Sequence, residues 1–577
     1  MATTIPETDD WVPSAESNGS NATASIRSLI DAVPPVASTV SKVLGAAPIP
    51  GLPSSGGRST EKDGLNNQIE TYVTTHGGPL WSVIQAVPPV RSFVNKTLTN
   101  SGIMKFPTRP EPFTTMADYT SWSSCTDRTF SARHLPSKPQ RASLPDLDEF
   151  EALYKRDPFI ESPKSTVLFS EFAQWFTDGF LRMDRVGLPD HVDLRKNESN
   201  HDIDLTNLYG LTPAVTEQLR AHEDGLLKSQ LLNGEEYPPY LYDGTKQKEE
   251  FSEVTVLGEH RWPSKTTHKQ FFAMGGDTTN MQVGFVMHNV LFLREHNRIA
   301  RRLKAEYSTW NDERLFQTAR NIMIVLLIKI VIEDYINHIT PYYFQLRLEP
   351  QSFPNEPWYR QNWMATEFQL LYRWHSLVPD TYSIGGKEVP IAKTLFTTTP
   401  VVENGLGRMF EDASLQPAGQ VGLTNTPPEL WQVERLSIQQ GRVVELASYN
   451  DYRELAGFPR VTEFKQITGR PKVREELRRL YGHVDNIEFF TGIFAEDARK
   501  NSVLPGMIGR MVGLDAFSQV YTNPLLSARI FNEKTFSPLG MEIIKETKTL
   551  SQVVNRNVPE RTEPYFVSMT KKGWKRA

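Results

Sequence analysis

Two consecutive stretches of the sequence carry the apolar spacing of long α-helices, and they constrain the fold more than any other feature. In Met281–Glu306 the apolar residues recur about every 3.6 positions, the period of an α-helix. Asn311–Ile339 begins with a polar cap and an acidic first turn and then becomes almost entirely apolar, as a buried helix does. Alternating, strand-like patterns are scarce. We therefore predict a large, mainly helical domain over residues 107–577.

The N-terminal part of the chain has a different composition. Residues 1–27 are rich in Ser, Thr and Asn and lack the basic and apolar regions of a secretory signal, so we expect a disordered tail. The longest apolar run, Ile322–Ile332, has 11 residues and includes Lys329. Because about 20 apolar residues are needed to cross a bilayer, we expect no membrane-spanning segment.

Charge and cysteine content exclude several functional classes. The formal net charge is −5 and no Lys/Arg-rich block stands out, so no nucleic-acid partner is expected. The single cysteine, Cys125, excludes an intrachain disulfide framework and a cysteine-based zinc site, and it indicates a reducing, intracellular compartment. The CxxCH motif that would attach a c-type haem is absent.

A duplicated element precedes the predicted domain, within residues 28–106. Its two copies, Ser28–Leu44 and Ser82–Leu98, are identical at 11 of 17 positions. Each copy reads as a short apolar helix, a Pro-Pro break and a second, amphipathic helix. The polar, glycine-containing stretch between the copies is typical of a flexible connector.

Two interpretations of this element are open. The helices either pack against the body of the protein or lie in one leaflet of a membrane as interfacial, membrane-binding helices. The aromatic side chains of Trp81 and Phe93 suit the second interpretation, in which Lys42 and Lys96 would reach the lipid headgroups.

The segment Leu370–Asp380, "LLYRWHSLVPD", brings redox-capable side chains together. If Phe368–Leu377 is helical, Tyr372 and His375 are three residues apart and leave the same helix face. A histidine that binds haem iron would then hold the phenol near the porphyrin edge, where an oxidised haem can take an electron from it. A single histidine in an apolar helix is also typical of a satisfied core residue, and spacing alone leaves both interpretations open.

This segment resembles the proximal-haem segment of the animal cyclooxygenases (prostaglandin synthases) and related fatty-acid dioxygenases of the animal haem peroxidase superfamily. The similarity covers roughly residues 70–570. It includes the segments Leu226–Pro239, Phe292–Thr340, Ile438–Pro459 and Arg474–Gly509, and it extends to the membrane-binding segment near Trp81.

The resemblance implies a haem peroxidase/cyclooxygenase-like helical fold that binds haem b. His375 would be the proximal iron ligand, and Tyr372 would form the radical that abstracts hydrogen from substrate. The remaining implied residues are those of the substrate channel, namely Trp374, Tyr335, Ile336 and Thr340.

One departure from the family pattern concerns the distal side of the haem. The family has Phe-Ala-Gln followed, four residues after the glutamine, by a histidine; here Gln174 is kept and the histidine position is Asp178. A distal histidine moves a proton between the oxygens of a bound hydroperoxide, and an ionised aspartate is a weaker base. Asp178 lies four residues after Gln174, on the same helix face, and is the candidate that remains for this role. We expect weak peroxidase activity.

Two further departures affect the predicted substrate channel. The arginine that pairs with the substrate carboxylate in the family falls on Gly102, which leaves Lys105 or Arg109 as the nearest cations. The channel serine aligns with Ala516 or, with one gap, with Ser518. The carboxylate anchor and the stereochemistry of the product are therefore open.

These features predict a haem-dependent enzyme that adds O2 to a polyunsaturated fatty acid and forms a hydroperoxide. The expected partners are the fatty acid, O2 and a membrane surface bound peripherally from one side, and a homodimer is allowed. The alternatives are a haem peroxidase that acts on small molecules, which Asp178 disfavours, and a non-enzymatic haem- or lipid-binding relative.

Overall fold

The computed structural model describes residues 78–103, 114, 116, 128–138, 144–183, 193–257 and 270–576. The predicted tail, the first copy of the duplicated element, Lys105 and Arg109 lie outside these residues. The proposed division of the chain at residues 27 and 106 therefore stays a prediction.

The described part of the chain is mainly helical, as predicted. Its α-helices, numbered in chain order, are α1 Gly78–Ala86, α2 Pro88–Ile103, α3 Glu151–Tyr154, α4 Val167–Asp178, α5 Thr206–Tyr209, α6 Pro213–Leu219, α7 Val283–Glu306, α8 Asp312–Ile330, α9 Asn337–Ile339, α10 Thr366–Leu371, α11 Thr399–Asn404, α12 Leu406–Leu415, α13 Trp431–Val443, α14 Tyr449–Leu455, α15 Pro471–Tyr481, α16 Phe489–Ala495, α17 Gly506–Tyr521, α18 Glu533–Glu546 and α19 Leu550–Asn555.

The strands are short and pair only in twos among the described residues. They are β1 Glu161–Thr166, β2 Gln230–Leu232, β3 Glu235–Tyr237, β4 Tyr242–Asp243, β5 Lys246–Gln247, β6 Thr381–Ile384, β7 Lys387–Pro390 and β8 Pro417–Gly419. Three pairs are local hairpins, whereas β1 pairs antiparallel with the distant β8. This long-range pair matters for function because β8 packs beside both α4 and the turn that holds His375.

The helices α7 and α8 form the centre of the core and confirm the two long helical patterns of the sequence. They pack against each other, while α4 packs on α7 and α18 packs on α8. Asn311 caps α8 by accepting a hydrogen bond from the Arg314 backbone N–H. At the other end of α8 the buried Lys329 ammonium donates to the carbonyls of Ile544 and Lys545, which satisfies the last turn of α18.

The continuous helix Asp312–Ile339 is long and apolar enough to cross a membrane by length and composition, but 83% of its most apolar window is buried inside the protein. It therefore has the character of a core helix. Its last part, Val331–Ile336, is a π-helical turn. Such turns displace side chains from the regular helix register and are frequent at functional sites.

The second copy of the duplicated element forms α1 and α2, with the break at Val87 and the two prolines in the first turn of α2. The sequence suggested Trp81 as a lipid contact, and this expectation is wrong: Trp81 is buried and packs edge-on against Phe344. Ile84 and Val90 are buried as well. Helix α2 packs on α17.

The lysine of this copy is also placed differently from the expectation. The Lys96 ammonium lies 2.7 Å from a Glu356 carboxylate oxygen, in an ion pair with the body of the protein. On α1 the side chain of Val83 stays 50% exposed. The second copy is therefore docked on the protein, and Val83 marks its outward side.

Candidate active site

The segment that carries Tyr372 and His375 is not a continuous helix, which corrects the prediction for Phe368–Leu377. Helix α10 ends at Leu371, and a separate 3-10 turn begins at His375. Between them Tyr372 and Trp374 have non-helical backbone angles (φ −98°, ψ 12° and φ −91°, ψ 48°). The break places the two side chains by a turn rather than by helix spacing.

Aromatic stacking gives the physical reason for this break. The rings of Tyr372 and Trp374 stack with centroids 4.6 Å apart. Side chains two residues apart point to opposite sides of a helix, so this contact requires the backbone to leave the helix. Phe169 of α4 stacks on the other side, 5.7 Å from the Trp374 ring. The rings of Trp374 and Phe169 thus connect Tyr372 to α4.

His375 is oriented by a buried carboxylate. Its Nδ1 atom lies 3.1 Å from Oε1 of Glu434, a residue of α13 that is 3% exposed. The Thr426 hydroxyl donates to the same oxygen at 2.7 Å. With Nδ1 facing Glu434, the Nε2 atom of the ring is the one left for a ligand.

The turn of His375 is pressed against strand β8. A Cβ atom on Gly419 would lie 2.0 Å from the Ser376 carbonyl oxygen, which is closer than any side chain allows. The Asn425 amide also donates to that carbonyl at 3.2 Å. Only glycine permits this close approach, so Gly419 fixes the backbone beside His375.

A second tyrosine faces the first. Tyr335 is fully buried among Phe169, Phe172 and Phe176, whose ring centroids lie 5.4 to 6.1 Å from its own. Its phenol is a hydrogen-bonding neighbour of the Tyr372 phenol. The contact falls short of a fully formed hydrogen bond, and neither hydroxyl has a partner of good geometry among the described residues.

Burial sets the protonation of both phenols. The Tyr372 ring is partly exposed, but its hydroxyl oxygen is buried, and this burial raises the pKa of Tyr372 well above its usual value of 10. The Tyr335 phenol opposes the shift and the Asp515 carboxylate adds to it. The pKa of Tyr335 is likewise raised by burial. Both side chains are therefore neutral phenols at pH 7, and oxidation of either must release a proton with the electron.

The other two predicted channel residues follow Tyr335 along the chain. Ile336 is buried at the end of the π-helical turn. Thr340 is partly buried where the helix ends, and its hydroxyl has no partner among the described residues. The indole N–H of Trp374 is also buried without a partner among the described residues.

Gln174 and Asp178 both lie on α4, as predicted, but their surroundings differ. Gln174 is exposed, the one exposed side chain of this otherwise buried helix among residues 167–178. Asp178 ends the helix, and its carboxylate is 10% exposed. The helix spacing is thus confirmed, while the role of either residue stays a prediction.

The carboxylate of Asp178 is already engaged by a hydroxyl donor and a guanidinium group. Its Oδ2 atom accepts a hydrogen bond from the Thr278 hydroxyl and lies 3.4 Å from the guanidinium of the fully buried Arg182. Arg182 also pairs with Asp277 at 2.8 Å. A carboxylate that serves as acceptor to a hydroxyl and an arginine is stabilised in its ionised form. This disfavours Asp178 as a replacement for a distal histidine.

The two candidates for the channel serine lie on α17. Ala516 is buried, and Ser518 is buried with its hydroxyl accepting from the Asn362 amide at 2.9 Å. The neighbouring Asp515 forms a fully buried pair with His134, with His134 Nε2 2.9 Å from the Asp515 carboxylate. At the position expected for the arginine, Gly102 is partly buried and has open space around it.

A comparison with known proteins identifies the family. The sequence profile of the animal haem peroxidases matches residues 150–567, which include α4, His375 and Glu434. The chain belongs to the animal haem peroxidase family. As a member of this family it is a haem-dependent oxidoreductase.

The similarity of this animal haem peroxidase to curated relatives extends over most of both chains. It is 31% identical to prostaglandin G/H synthase 2 of Equus caballus over 500 residues, which cover 84% of this chain and 80% of the relative. It is 31% identical to prostaglandin G/H synthase 1 of Rattus norvegicus over 508 residues, covering 86% and 81%.

Solved structures share the fold at lower identity. Peroxidase A from Dictyostelium discoideum superimposes with a TM-score of 0.61 at 18% identity, over 81% of this chain and 99% of that one. The fatty acid alpha-dioxygenase of Oryza sativa gives a TM-score of 0.61 at 17% identity, over 83% and 93%. These matches establish the peroxidase/cyclooxygenase-like architecture.

The residues present fit a haem held by one protein ligand. His375 offers an imidazole whose Nδ1 atom lies 3.1 Å from a Glu434 carboxylate oxygen, close to the arrangement that orients metal-binding histidines in general. The side chain of His375 is 14% exposed, so a ligand can approach it. The chain's own contribution is to hold this ring and to present Tyr372 nearby.

Sequence reasoning missed Glu434, Gly419 and Phe169. A lone glutamate in an amphipathic helix, a glycine in a loop and a phenylalanine among other apolar residues carry no local signal, because their roles depend on contacts far apart in sequence. Gly419 is the one with a usable hint, since it stands in a glycine-containing stretch between two helical patterns.

Proposed function

We propose that this protein catalyses the haem-dependent oxygenation of a polyunsaturated fatty acid by O2, with Tyr372 as the hydrogen-abstracting radical. The main support for the proposal is the placement of Tyr372, three residues before His375. Its ring stacks on Trp374, which stacks on Phe169, and its hydroxyl oxygen is buried. The prostaglandin synthase relatives support the same chemistry. When bound, haem supplies the one-electron oxidant for the phenol.

The chemistry at Tyr372 balances without a further reductant. The phenoxyl oxygen takes a hydrogen atom from an allylic or bis-allylic carbon, which leaves the phenol and a carbon radical. O2 adds to that carbon to give a peroxyl radical. Return of the hydrogen atom from the Tyr372 hydroxyl gives the hydroperoxide and restores the phenoxyl radical. Tyr335, whose phenol adjoins that hydroxyl, is positioned to hold it in place.

The apolar surface around Tyr372 suits an acyl chain. The rings of Phe169, Tyr335 and Trp374 are buried next to one another, and Trp374 stacks on Tyr372. We propose that these rings exclude water from the radical, and we assign the buried Ile336 to the same surface. Exclusion of water protects reactive intermediates from side reactions. We assign Thr340, Ala516 and Ser518 to the same channel, with Lys105 or Arg109 as the group that binds the carboxylate.

We further propose weak peroxidase activity. Asp178 is an acceptor for Thr278 and an ion-pair partner of Arg182, so it is a poor acid or base for hydroperoxide cleavage. The enzyme should therefore release the hydroperoxide rather than the alcohol. We assign Gln174, the residue of the distal motif that this chain keeps, to haem binding and catalysis on that side.

Peripheral membrane binding belongs to the proposal as well. Helix α2 packs on α17, which carries the channel candidates, and α1 packs on α2. The outward side of α1 exposes Val83. An apolar side chain on a helix docked beside the channel suits entry of a fatty acid from one leaflet. The first copy, Ser28–Leu44, would add a second attachment point and increase residence on the membrane.

The experiment that tests this function is O2 uptake by the purified, haem-loaded full-length protein with linoleate and with arachidonate, followed by mass spectrometry of the product. Uptake with one O2 incorporated as a hydroperoxide supports the proposal. Peroxide-driven oxidation of small phenols without O2 uptake would instead identify a small-molecule peroxidase, and haem binding without either activity would identify a non-enzymatic relative.

A further inference from the structure

The carboxylate of Glu434 is a buried charge whose neighbours point to a role at His375. Only two polar groups of the described residues approach its Oε1 atom closely: the Thr426 hydroxyl at 2.7 Å and His375 Nδ1 at 3.1 Å. Its second oxygen, Oε2, is buried without a partner there. A buried carboxylate is costly in free energy unless donors balance it, and beside the Thr426 hydroxyl the His375 imidazole is the group placed to do so.

His375 and Glu434 lie within hydrogen-bonding distance, but no hydrogen bond is formed between them. The angle at Nδ1 falls short of a formed hydrogen bond, although the two atoms are only 3.1 Å apart. The carboxylate is fixed on α13 by Thr426, and the His375 backbone is fixed by the contact of Ser376 with Gly419. Rotation of the imidazole ring alone is the motion that closes the bond.

We infer that Glu434 is a positioning residue that accepts the Nδ1 proton of His375, leaves Nε2 bare for iron, and makes the imidazole a more electron-donating ligand. The inference rests on His375 being the iron ligand, as proposed above. A partner of this kind fixes the tautomer of a ligating histidine and raises its basicity. An anionic partner stabilises the ferric over the ferrous state and so lowers the midpoint potential.

This role connects Glu434 to the radical chemistry. A bound haem would supply the one-electron oxidant for the Tyr372 phenol, and Glu434, by setting how strongly His375 donates electrons, would influence that supply. Glu434 touches neither substrate nor the reacting phenol. Its effect passes entirely through the ring of His375.

The test is the Fe(III)/Fe(II) midpoint potential of the haem-loaded full-length protein and of Glu434→Gln, which keeps the shape and removes the charge. We expect the midpoint potential of Glu434→Gln to be higher by at least about 59 mV, which corresponds to a tenfold change in the equilibrium constant of this one-electron reduction. Glu171→Gln is the matched control, because Glu171 is also a fully buried carboxylate but contacts Gln282 and Tyr382 rather than His375. Its potential should change by less than twofold in the same constant.

A second variant gives a test of opposite sign. Thr426→Val removes the hydroxyl that shares Oε1, so the carboxylate should become a stronger acceptor for His375 and the potential should fall. The iron–histidine stretching frequency should decrease in Glu434→Gln and increase in Thr426→Val. Unchanged potentials in both variants with an intact Soret band would overturn the inference, and if Glu434→Gln does not fold, the sign of the Thr426→Val shift decides alone.

Failure of the underlying assignment has a different signature. His375→Gly should lose the native haem spectrum and regain it with added imidazole. If His375→Gly keeps the wild-type spectrum and potential without imidazole, another residue ligates iron, and the proposed function itself loses its basis. An unchanged potential in Glu434→Gln with normal behaviour of His375→Gly contradicts only the role of Glu434.

Discussion

The region around His375 and the region around Gln174 and Asp178 on α4 differ in how their side chains are held. On the side of His375, each element has a buried support: Glu434 beside the ring, Gly419 against the following backbone, and Trp374 stacked on Tyr372. On the side of α4, Gln174 is exposed and Asp178 is occupied with Arg182 and Thr278.

This difference separates two chemical tasks. Generation and placement of a tyrosyl radical need a well-held histidine and a well-held phenol, which this chain has. Cleavage of a hydroperoxide needs a mobile proton on the opposite side, for which Asp178 is poorly placed chemically. This difference fits the function we propose, an oxygenase with weak peroxidase activity.

The largest expected effect is that of Tyr372→Phe. The variant keeps the aromatic stack but has no hydroxyl to oxidise, so oxygenation should fall by at least about 100-fold, or roughly 2.7 kcal/mol of barrier. The Soret band should be unchanged. Tyr335→Phe is the matched control and should keep substantial O2 uptake, because Tyr335 only holds the Tyr372 hydroxyl. Normal oxygenation by Tyr372→Phe would remove the tyrosyl mechanism.

The support of His375 can be broken at Gly419. In Gly419→Ala the added Cβ collides with the Ser376 carbonyl, so the backbone beside His375 must shift. We expect a loss of stability of about 2 kcal/mol and roughly tenfold weaker haem retention. Chemical denaturation and haem transfer to an apo-globin measure the two effects. Gly513→Ala on α17 is the control, since nothing lies near its Cβ and alanine favours a helix; if it loses haem equally, the contact is not specific.

A substitution at Asp178 should increase activity, namely the reduction of hydroperoxides. Asp178→His places a base of suitable strength at this position, so the rate of hydroperoxide reduction should rise by about 100-fold, the lower end of what acid–base catalysis contributes to rates. Asp178→Asn should show no increase. The ratio of alcohol to hydroperoxide in the product, measured by chromatography, reports the change. Rapid peroxidase turnover in the wild type would show that another group already serves.

A smaller effect concerns the pH dependence of the free energy of unfolding, through Glu171 of α4. Burial raises the pKa of Glu171 from 4.5 to about 7, because its carboxyl lies against Gly284 of α7. The folded state thus binds the proton more tightly than the unfolded state, and stability falls as the pH rises from about 4.5 to 7. The loss should be on the order of 2 kcal/mol, and Glu171→Gln should flatten that slope in urea unfolding at several pH values. A wild-type curve that is already flat there would contradict the burial of this carboxyl.

The membrane proposal predicts a graded effect outside the site. Val83→Ser should weaken binding to vesicles, because Val83 is exposed, whereas the same change at the buried Val90 should mainly destabilise the docking of α2. Co-sedimentation with neutral and anionic vesicles measures binding. Equal binding of wild type and Val83→Ser would favour simple packing of α1 on the body.

Local patterns predicted the helices well and the contacts poorly. The periodicity of Met281–Glu306 predicted α7 nearly to the residue, and the capped apolar run Asn311–Ile339 predicted the continuous helix Asp312–Ile339, which begins with α8. The helix assumed through Tyr372 was wrong because the stack of Tyr372 on Trp374 overrides helix propensity. Glu434 could not be found from one sequence, since its partner His375 is 59 positions away (434 − 375).

The most direct test of the central claim is freeze-quench electron paramagnetic resonance of the haem-loaded protein after addition of peroxide without O2. We predict a phenoxyl radical in the wild type that gives way to a fatty-acid carbon radical when linoleate is added, and no such conversion in Tyr372→Phe. Formation of the same fatty-acid radical by Tyr372→Phe, at the wild-type rate, would contradict the assignment of hydrogen abstraction to Tyr372.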